Sequence, residues 1–471
     1  MILGGSILTQ LFTTSFQMAE DAFFYSYKEQ TKKDTQHIFL ESGRAGDMHI
    51  AARNPLAVMQ ATDEGLLITW RSGQVEHVIG DALALAEEIV ARYRFEALPD
   101  LPLFQGGAIG FISYDYAREI EKLPSLTTND LQTPRIFFYL FDEWAVYDKA
   151  QQRVYLMGLQ PLQSTKEQWQ QAATTGLAQR KFITAQASYA VIDDVPPTVS
   201  CTREEFASAV KQVQAYIQAG DVFQVNLSVR QSRPLAVEPI VLYEALRALN
   251  PSPYMAYIQH EDFAVVSGSP ELLIERQNNK IATRPIGGTR LRGATVTEDQ
   301  ALEQELLTNE KECAEHIMLV DLERNDLGKV AQYGSVEVDE LMVIERYSHV
   351  MHLVSNVRGT VEDQVSNTAI LRAMFPGGTI TGTPKIRTME IIEELETYQR
   401  GLYTGSIGWL GFTGDMVFNI VIRTAYIKNK IAHIQAGAGI VIDSDPISEY
   451  EESLNKARAM WQAKALAEGQ Q

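Results

Sequence analysis

Cysteine is almost missing from this chain. Only Cys201 and Cys313 occur, in dissimilar surroundings. Two thiols give no disulfide framework and cannot complete a zinc site unaided. Such a sequence suits a reducing compartment, and a cytoplasmic location is expected. Long apolar runs are missing too, with nothing near the roughly 18 residues of a membrane-spanning helix. The opening MILGGSILTQLFTTSF has no basic segment ahead of an apolar core, so it does not read as a signal peptide. Basic charge is scarce: 41 Lys and Arg stand against 60 Asp and Glu, a net charge of −19. That balance argues against nucleic acid or anionic membrane as a partner. There is no Gly-x-Ser-x-Gly elbow, no His-Glu-x-x-His helix and no Walker A loop.

What is present is ordinary globular material, 45% hydrophobic and 21% charged over 471 residues. Residues 160–190 are rich in Gln, Thr and Ala and run into Asp193-Asp194-Val195-Pro196-Pro197. Paired prolines break helix and sheet alike, which places a linker between a first region, 1–185, and a second, 200–468. The first region alternates short apolar runs with turn residues, as at Phe39-Leu40, Leu66–Trp70 and Ile136–Leu140, with a helix over Ala82–Tyr93.

The second region opens on a capping box, Thr202 to Glu205, followed by Phe206, Val210, Val213 and Ile217 on one face until Gly220. Strands are expected at Val222–Val229, Phe263–Ser267 and, unbroken, Val417–Ala425. One long helix is expected after Thr297, carrying Leu302, Leu306, Cys313 and Val320. Another should start at Thr383-Pro384, with threonine as cap and proline in the first turn. A last helix should run from Pro446 to the end. Without a βαβ rhythm, the pattern predicts an α+β fold with large antiparallel sheets. Gly107-Ala-Ile-Gly110-Phe and Gly405-Ser-Ile-Gly408-Trp echo each other, as related sheets would.

Three features carry chemistry. Glu312 and Glu315 lie three apart on a predicted helix, and so do Glu449 and Glu452. Each pair shares a helix face; two such helices facing each other would make an oxygen nest for Mg²⁺, whereas either pair alone suits a solvated surface. Pro376–Lys385, Pro285–Arg290 and Gly437-Ala438-Gly439 are glycine- and threonine-rich and could bring backbone N–H groups close to an anion, or be plain turns. Arg423 in an apolar run and Lys456 one turn beyond Glu452 could hold a small anionic ligand or form salt bridges. His349 and His352 could serve as bases or as structural hydrogen-bonding groups. The residues alone point to a Mg²⁺-dependent enzyme acting on a small anion.

Taken together, the motifs resemble the chorismate-utilising enzymes. The resemblance rests on Gly-Ser-Pro-Glu271, Arg284-Pro-Ile-Gly-Gly-Thr-Arg290, the run from Glu312 to Asp326, Gly437-Ala-Gly439 and Glu449-Tyr-Glu-Glu452. Phe39-Leu-Glu-Ser42 and Gly106–Asp115 resemble the amino-terminal region of the aminating members. The resemblance implies sheets packed as a sandwich with flanking helices, and one site. Mg²⁺ would be held by Glu312, Glu315, Glu449 and Glu452. Arg423, Tyr403, Lys456 and Gly437, Ala438 and Gly439 would hold the carboxylates of chorismate, with Thr379 lining the pocket. Glu271 would be the general acid that protonates the departing C4 hydroxyl. Thr289 and His352 would join it, His352 as base or pyruvyl contact.

In the members that add water, a lysine activates it. Gln224 stands at that position, and an amide cannot act as a base, so the implied nucleophile is ammonia. Asn226, Thr379-Ile380-Thr381 and Thr404-Gly405-Ser406 lean toward the members that make 4-amino-4-deoxychorismate, with anthranilate as the alternative product. Gly287 replaces a lysine that attacks C2 in some of them, which excludes a covalent lysine intermediate at that position. Neither cysteine lies on a tight glycine-flanked turn, so a separate glutamine amidotransferase subunit would supply the ammonia. An inactive scaffold that only docks such a subunit is the competing class; retention of all four glutamates, Glu271, Arg423 and Lys456 argues against it. Glu41, Ser42, Pro251, Tyr254 and Met255 match places where anthranilate-forming members bind tryptophan, implying a structural or regulatory ligand, or simple sheet packing.

Overall fold

The computed structural model describes residues 11–42, 47–180, 196–346 and 350–469. His349 and most of the expected linker lie outside them. The fold is α+β, built on two twelve-stranded sheets whose ladders are antiparallel. Neither sheet belongs to one region of the chain. In the first, His37–Glu41 pairs with Tyr254–Gln259; in the second, Gly107–Ile112 pairs with Ser406–Gly411. The two glycine-spaced runs that echo each other are therefore neighbours, with Gly110 opposite Gly408.

Strand alternation explains the layers. Ile38, Ile258 and Val265 point between the sheets, where they meet Met59, Phe111, Phe138 and Ile274. Their neighbours Phe39, Tyr257 and Val266 point to the opposite face of the first sheet. Helices Glu20–Gln30, Pro239–Leu249 and Arg458–Glu468 supply Phe23, Tyr243 and Trp461 to cover that face. The outcome is a sandwich with flanking helices.

The capping box read from the sequence does start its helix. Helix Arg203–Ala219 begins at the Thr202–Glu205 capping box, buries Phe206, Val210 and Val213, and ends on Gly220 at φ 83°. Part of the Gln- and Thr-rich stretch read as leading into a linker is helix Lys166–Ala178, started by a capping box at Thr165.

Four elements differ from expectation. The long helix is two, Val296–Thr308 and Glu310–Gly328, because the Asn309 side chain caps the second by accepting from Glu312 N. The terminal helix likewise divides into Pro446–Lys456 and Arg458–Glu468. The helix expected from Thr383-Pro384 starts at Lys385 with Pro384 as its cap. Thr383 is instead drawn into the first sheet, opposite Gln224. Finally, the run Val417–Ala425 is two strands in different sheets, Met416–Asn419 and Thr424–Lys428.

Candidate active site

That last break builds the site. Residues 420–423 cross from the second sheet to the first, beside a crossing in the other direction between Phe263–Ser269 and Leu272–Gln277. The two crossings bind one another. Ile420 N donates to Glu271 O at 2.9 Å, Ser269 Oγ to Ile420 O at 2.5 Å, and Gly268 N to Arg423 O at 3.0 Å. Arg423 takes φ 51°, the left-handed region that a bulky residue rarely adopts. Glu271 and Arg423 thereby reach one cavity of about 640 Å³.

Their surroundings make them a matched pair. Glu271 is 5% exposed, and burial pushes its carboxyl up to about 7 against the opposing effects of Thr379 and Arg423. Thr379 stands beside it, yet neither Thr379 Oγ1 nor Glu271 Oε1 closes a hydrogen bond. Burial depresses Arg423, and Glu271 is the charge that offsets this. A buried guanidinium whose facing acid is only partly ionised near neutral pH is a receptor for an added anion.

Glu312 and Glu315 of helix Glu310–Gly328 and Glu449 and Glu452 of helix Pro446–Lys456 all line this cavity. Glu315 is pushed up by burial and by the other three carboxylates, with Lys311 opposing. That mutual repulsion is what two facing acidic helices produce. Glu312 Oε1 accepts from Arg290 at 2.8 Å, while its Oε2 is buried without a partner. Glu449 accepts from Ser444 Oγ at 2.7 Å, and Glu452 pairs with Lys456 at 2.8 Å. Acceptors outnumber donors here, and an orphaned carboxylate oxygen fits a hard cation that keeps some of its waters.

Tyr403, Thr289, Gly437, Gly439 and Lys456 line the same cavity. Lys456 is also a structural bridge, since its Nζ donates to Gly437 O at 3.0 Å. Two expected residues stand behind the wall. Ala438 points into the core beside Val225 and Leu227. His352 is 2% exposed, bonds Thr289 Oγ1 at 2.8 Å through Nδ1, and is pushed down to about 4 by burial.

Two residues were missed. His316 is fully buried, bonds Ser355 Oγ at 2.6 Å through Nε2, and leaves Nδ1 without a partner. A Cβ at Gly287 would lie 2.5 Å from that Nδ1, so the bare Gly287 backbone is what the packing of His316 requires. Glu323 is 2% exposed and pushed up to about 8, by burial first and Asp326 next. Both were legible as continuations of the Glu312 helix face, at i+4 and i+11.

The candidate effector residues lie elsewhere. Glu41 accepts from Arg247 at 2.7–3.2 Å and from Tyr243 at 3.1 Å. Met255 is its sheet partner. Ser42 accepts from Lys149 through its carbonyl at 3.1 Å. Tyr254 is half-buried next to Met255, and Pro251 is likewise half-buried. Among the described residues, Glu20, Glu41 and His49 form the group whose potential metal-binding atoms all lie within 4.8 Å. The Arg247 guanidinium on Glu41 makes that cluster a poor host for a cation. A surface cleft of about 680 Å³ bordered by Arg53, Arg71 and Asp142 matches the main cavity in size. Its two arginines are already paired, Arg53 with Asp34 and Arg71 with Asp142. No helix among the described residues is long and apolar enough to cross a membrane.

Comparison with known proteins matches residues 35–462 to the model of the chorismate binding enzymes. Aminodeoxychorismate synthase component 1 of Bacillus subtilis is 47% identical over 95% of this chain and 96% of its own length. Anthranilate synthase component 1 of Acetivibrio thermocellus is 40% identical over 90% of this chain and 89% of its own. The crystal structure of anthranilate synthase component I from Streptococcus pneumoniae superposes with a TM-score of 0.74 at 34% identity, covering 89% of this chain and 93% of that one.

Proposed function

The chain belongs to the chorismate-binding enzymes, and on that premise we propose that it is component I of an aminodeoxychorismate synthase. It replaces the C4 hydroxyl of chorismate with an amino group and keeps the enolpyruvyl side chain, a step toward 4-aminobenzoate and folate. The observation that carries this reading is the likeness, along nearly the whole chain, to the Bacillus subtilis enzyme.

The residues divide the work. Glu271, raised by burial to about 7 and so partly protonated near neutral pH, gives its proton to the C4 oxygen, so that water rather than hydroxide leaves. Ammonia forms the new C–N bond and then sheds a proton. Arg423 and the backbone of Gly437 and Gly439 hold substrate carboxylates, and Tyr403 and Thr379 complete the pocket. Thr289, oriented by neutral His352, presents a hydroxyl to the ligand. Glu312, Glu315, Glu449 and Glu452 would hold Mg²⁺, which supplies positive charge to a substrate carboxylate.

The ammonia comes from a separate amidotransferase subunit. In support, burial pushes the Cys201 thiol up to about 12, far from a nucleophile, and the Cys313 Sγ donates to Leu307 O at 3.4 Å within the helical layer. We place the reaction in the cytoplasm.

The test is a product assay with purified chain, chorismate, Mg²⁺ and ammonium. An aminated product that a separate lyase converts to 4-aminobenzoate, without pyruvate, is the expected outcome. Stoichiometric anthranilate and pyruvate would instead establish the other aminating reaction.

A further inference from the structure

The walls of the cavity are unevenly charged. Glu271, Arg423, Lys456 and the four glutamates make most of it ionic. One wall is neutral: the strand Gln224–Pro234 presents the amides of Gln224 and Asn226, two residues apart and hence on one face. Gln224 is already accounted for as the residue at the water-activating position. Asn226 is not.

Asn226 is 6% exposed and almost fully committed. Its backbone N–H donates to Thr381 O at 2.8 Å. Its carbonyl accepts from Arg400 Nη2 at 2.6 Å. Its side-chain Nδ2 donates to Ile380 O at 2.7 Å. A carbonyl acceptor fixes which end of the amide is nitrogen, so Oδ1 must face the other way. That way lies the cavity: a Cβ built on Gly437 would be 2.8 Å from Asn226 Oδ1 and 2.9 Å from the Tyr403 hydroxyl. Arg400 Nη1 also reaches Ile380 O at 3.3 Å and its Nη2 bonds Glu396 at 2.7 Å, so the support beneath Asn226 is rigid.

Tyr403 interacts with this side chain, but an amide oxygen has two lone pairs, so Oδ1 keeps a neutral acceptor site toward the ligand. It repels the carboxylates of the substrate and favours a small N–H donor. We propose that Asn226 Oδ1, beside the Tyr403 hydroxyl, is the subsite that receives and orients the incoming ammonia. The inference rests on the amination reading and adds to it the place where the nitrogen waits. The subsite holds the uncharged nucleophile by one N–H and leaves the nitrogen lone pair free to attack; no bond to the protein forms or breaks.

The test uses the full chain with chorismate, Mg²⁺ and ammonium chloride. Asn226→Ala should raise the KM for ammonia at least tenfold, with the chorismate dissociation constant and the Mg²⁺ titration within twofold of the unaltered chain. Asn226→Leu, nearly isosteric, should do the same, so that an empty space left by truncation cannot explain the result. An unchanged KM for ammonia in either folded variant overturns the proposal, and so does a loss of chorismate affinity in parallel, which would make Asn226 part of the substrate floor. If the unaltered chain fails to aminate chorismate, the parent reading falls and takes this one with it; a variant result against the proposal leaves the parent reading standing.

Discussion

Glu41 and Glu271 are two buried glutamates with opposite fates. They are 6% and 5% exposed, and burial pushes both carboxyls up. At Glu41 the Arg247 charge and its hydrogen bonds outweigh burial and hold the group below its ordinary value. At Glu271 the opposing effects of Thr379 and Arg423 are too weak, and the group sits at about 7. Depth is the same; the partner differs. A buried carboxylate satisfied by its own fold is architecture, whereas one left short of partners is poised to exchange a proton.

The sharpest break in the comparison is at the acid. Glu271→Gln removes the proton and keeps the shape, so turnover should fall roughly 10²–10⁴-fold while chorismate still binds, as a binding titration beside a steady-state assay would show. Undiminished turnover would remove Glu271 from the acid role. On the other side, Arg247→Ala leaves Glu41 charged and unpaired, which should cost roughly 3–5 kcal/mol of stability, read as a lower midpoint in urea. Full retention of stability would mean that water reaches Glu41.

The two carboxylates should also differ in the sign of their pH dependence. Glu271 has a folded value raised above the ordinary 4.5. Its contribution to stability is complete below that value and is lost as pH rises through about 7. Glu271→Gln should therefore be more stable than the unaltered chain at pH 8, by on the order of 3 kcal/mol, with the gap closing toward pH 4. Glu41 has a lowered folded value, so its contribution holds above 4.5 and is lost only as pH falls through that lower value. Thermal melts of both chains at the two pH values decide this. The smallest effect should come from Tyr243→Phe, which deletes one hydrogen bond to Glu41 and should cost about 1 kcal/mol. A loss as large as that of Arg247→Ala would show that the tyrosine, rather than the arginine, governs this pocket.

Much of the site was legible because its chemistry repeats locally. The i, i+3 glutamates at 312 and 315, and at 449 and 452, need only a helix to share a face, and they do reach one cavity. Asn309 was not read as a helix break, because its capping role depends on where the chain turns rather than on apolar spacing. Arg423 was placed in a continuous strand, since Val417–Ala425 has the composition of one; only the pairing of its two halves with different sheets reveals the crossing. His352 and Ala438 carry the right motif positions but stand behind the wall, a matter of which face each strand turns inward.

The amino-acid order by itself determined the fold class, the helix capped at Thr202, the paired carboxylates and the family. All of these depend on residues close together in the chain or on motifs that can be read without distances. Only the tertiary structure decided which acid burial raises to about 7 at the cavity, which arginine is buried against it, and which end of Asn226 faces the ligand. Those properties arise from desolvation and from hydrogen bonds between segments more than a hundred residues apart, such as Asn226 with Ile380, and no local pattern encodes them.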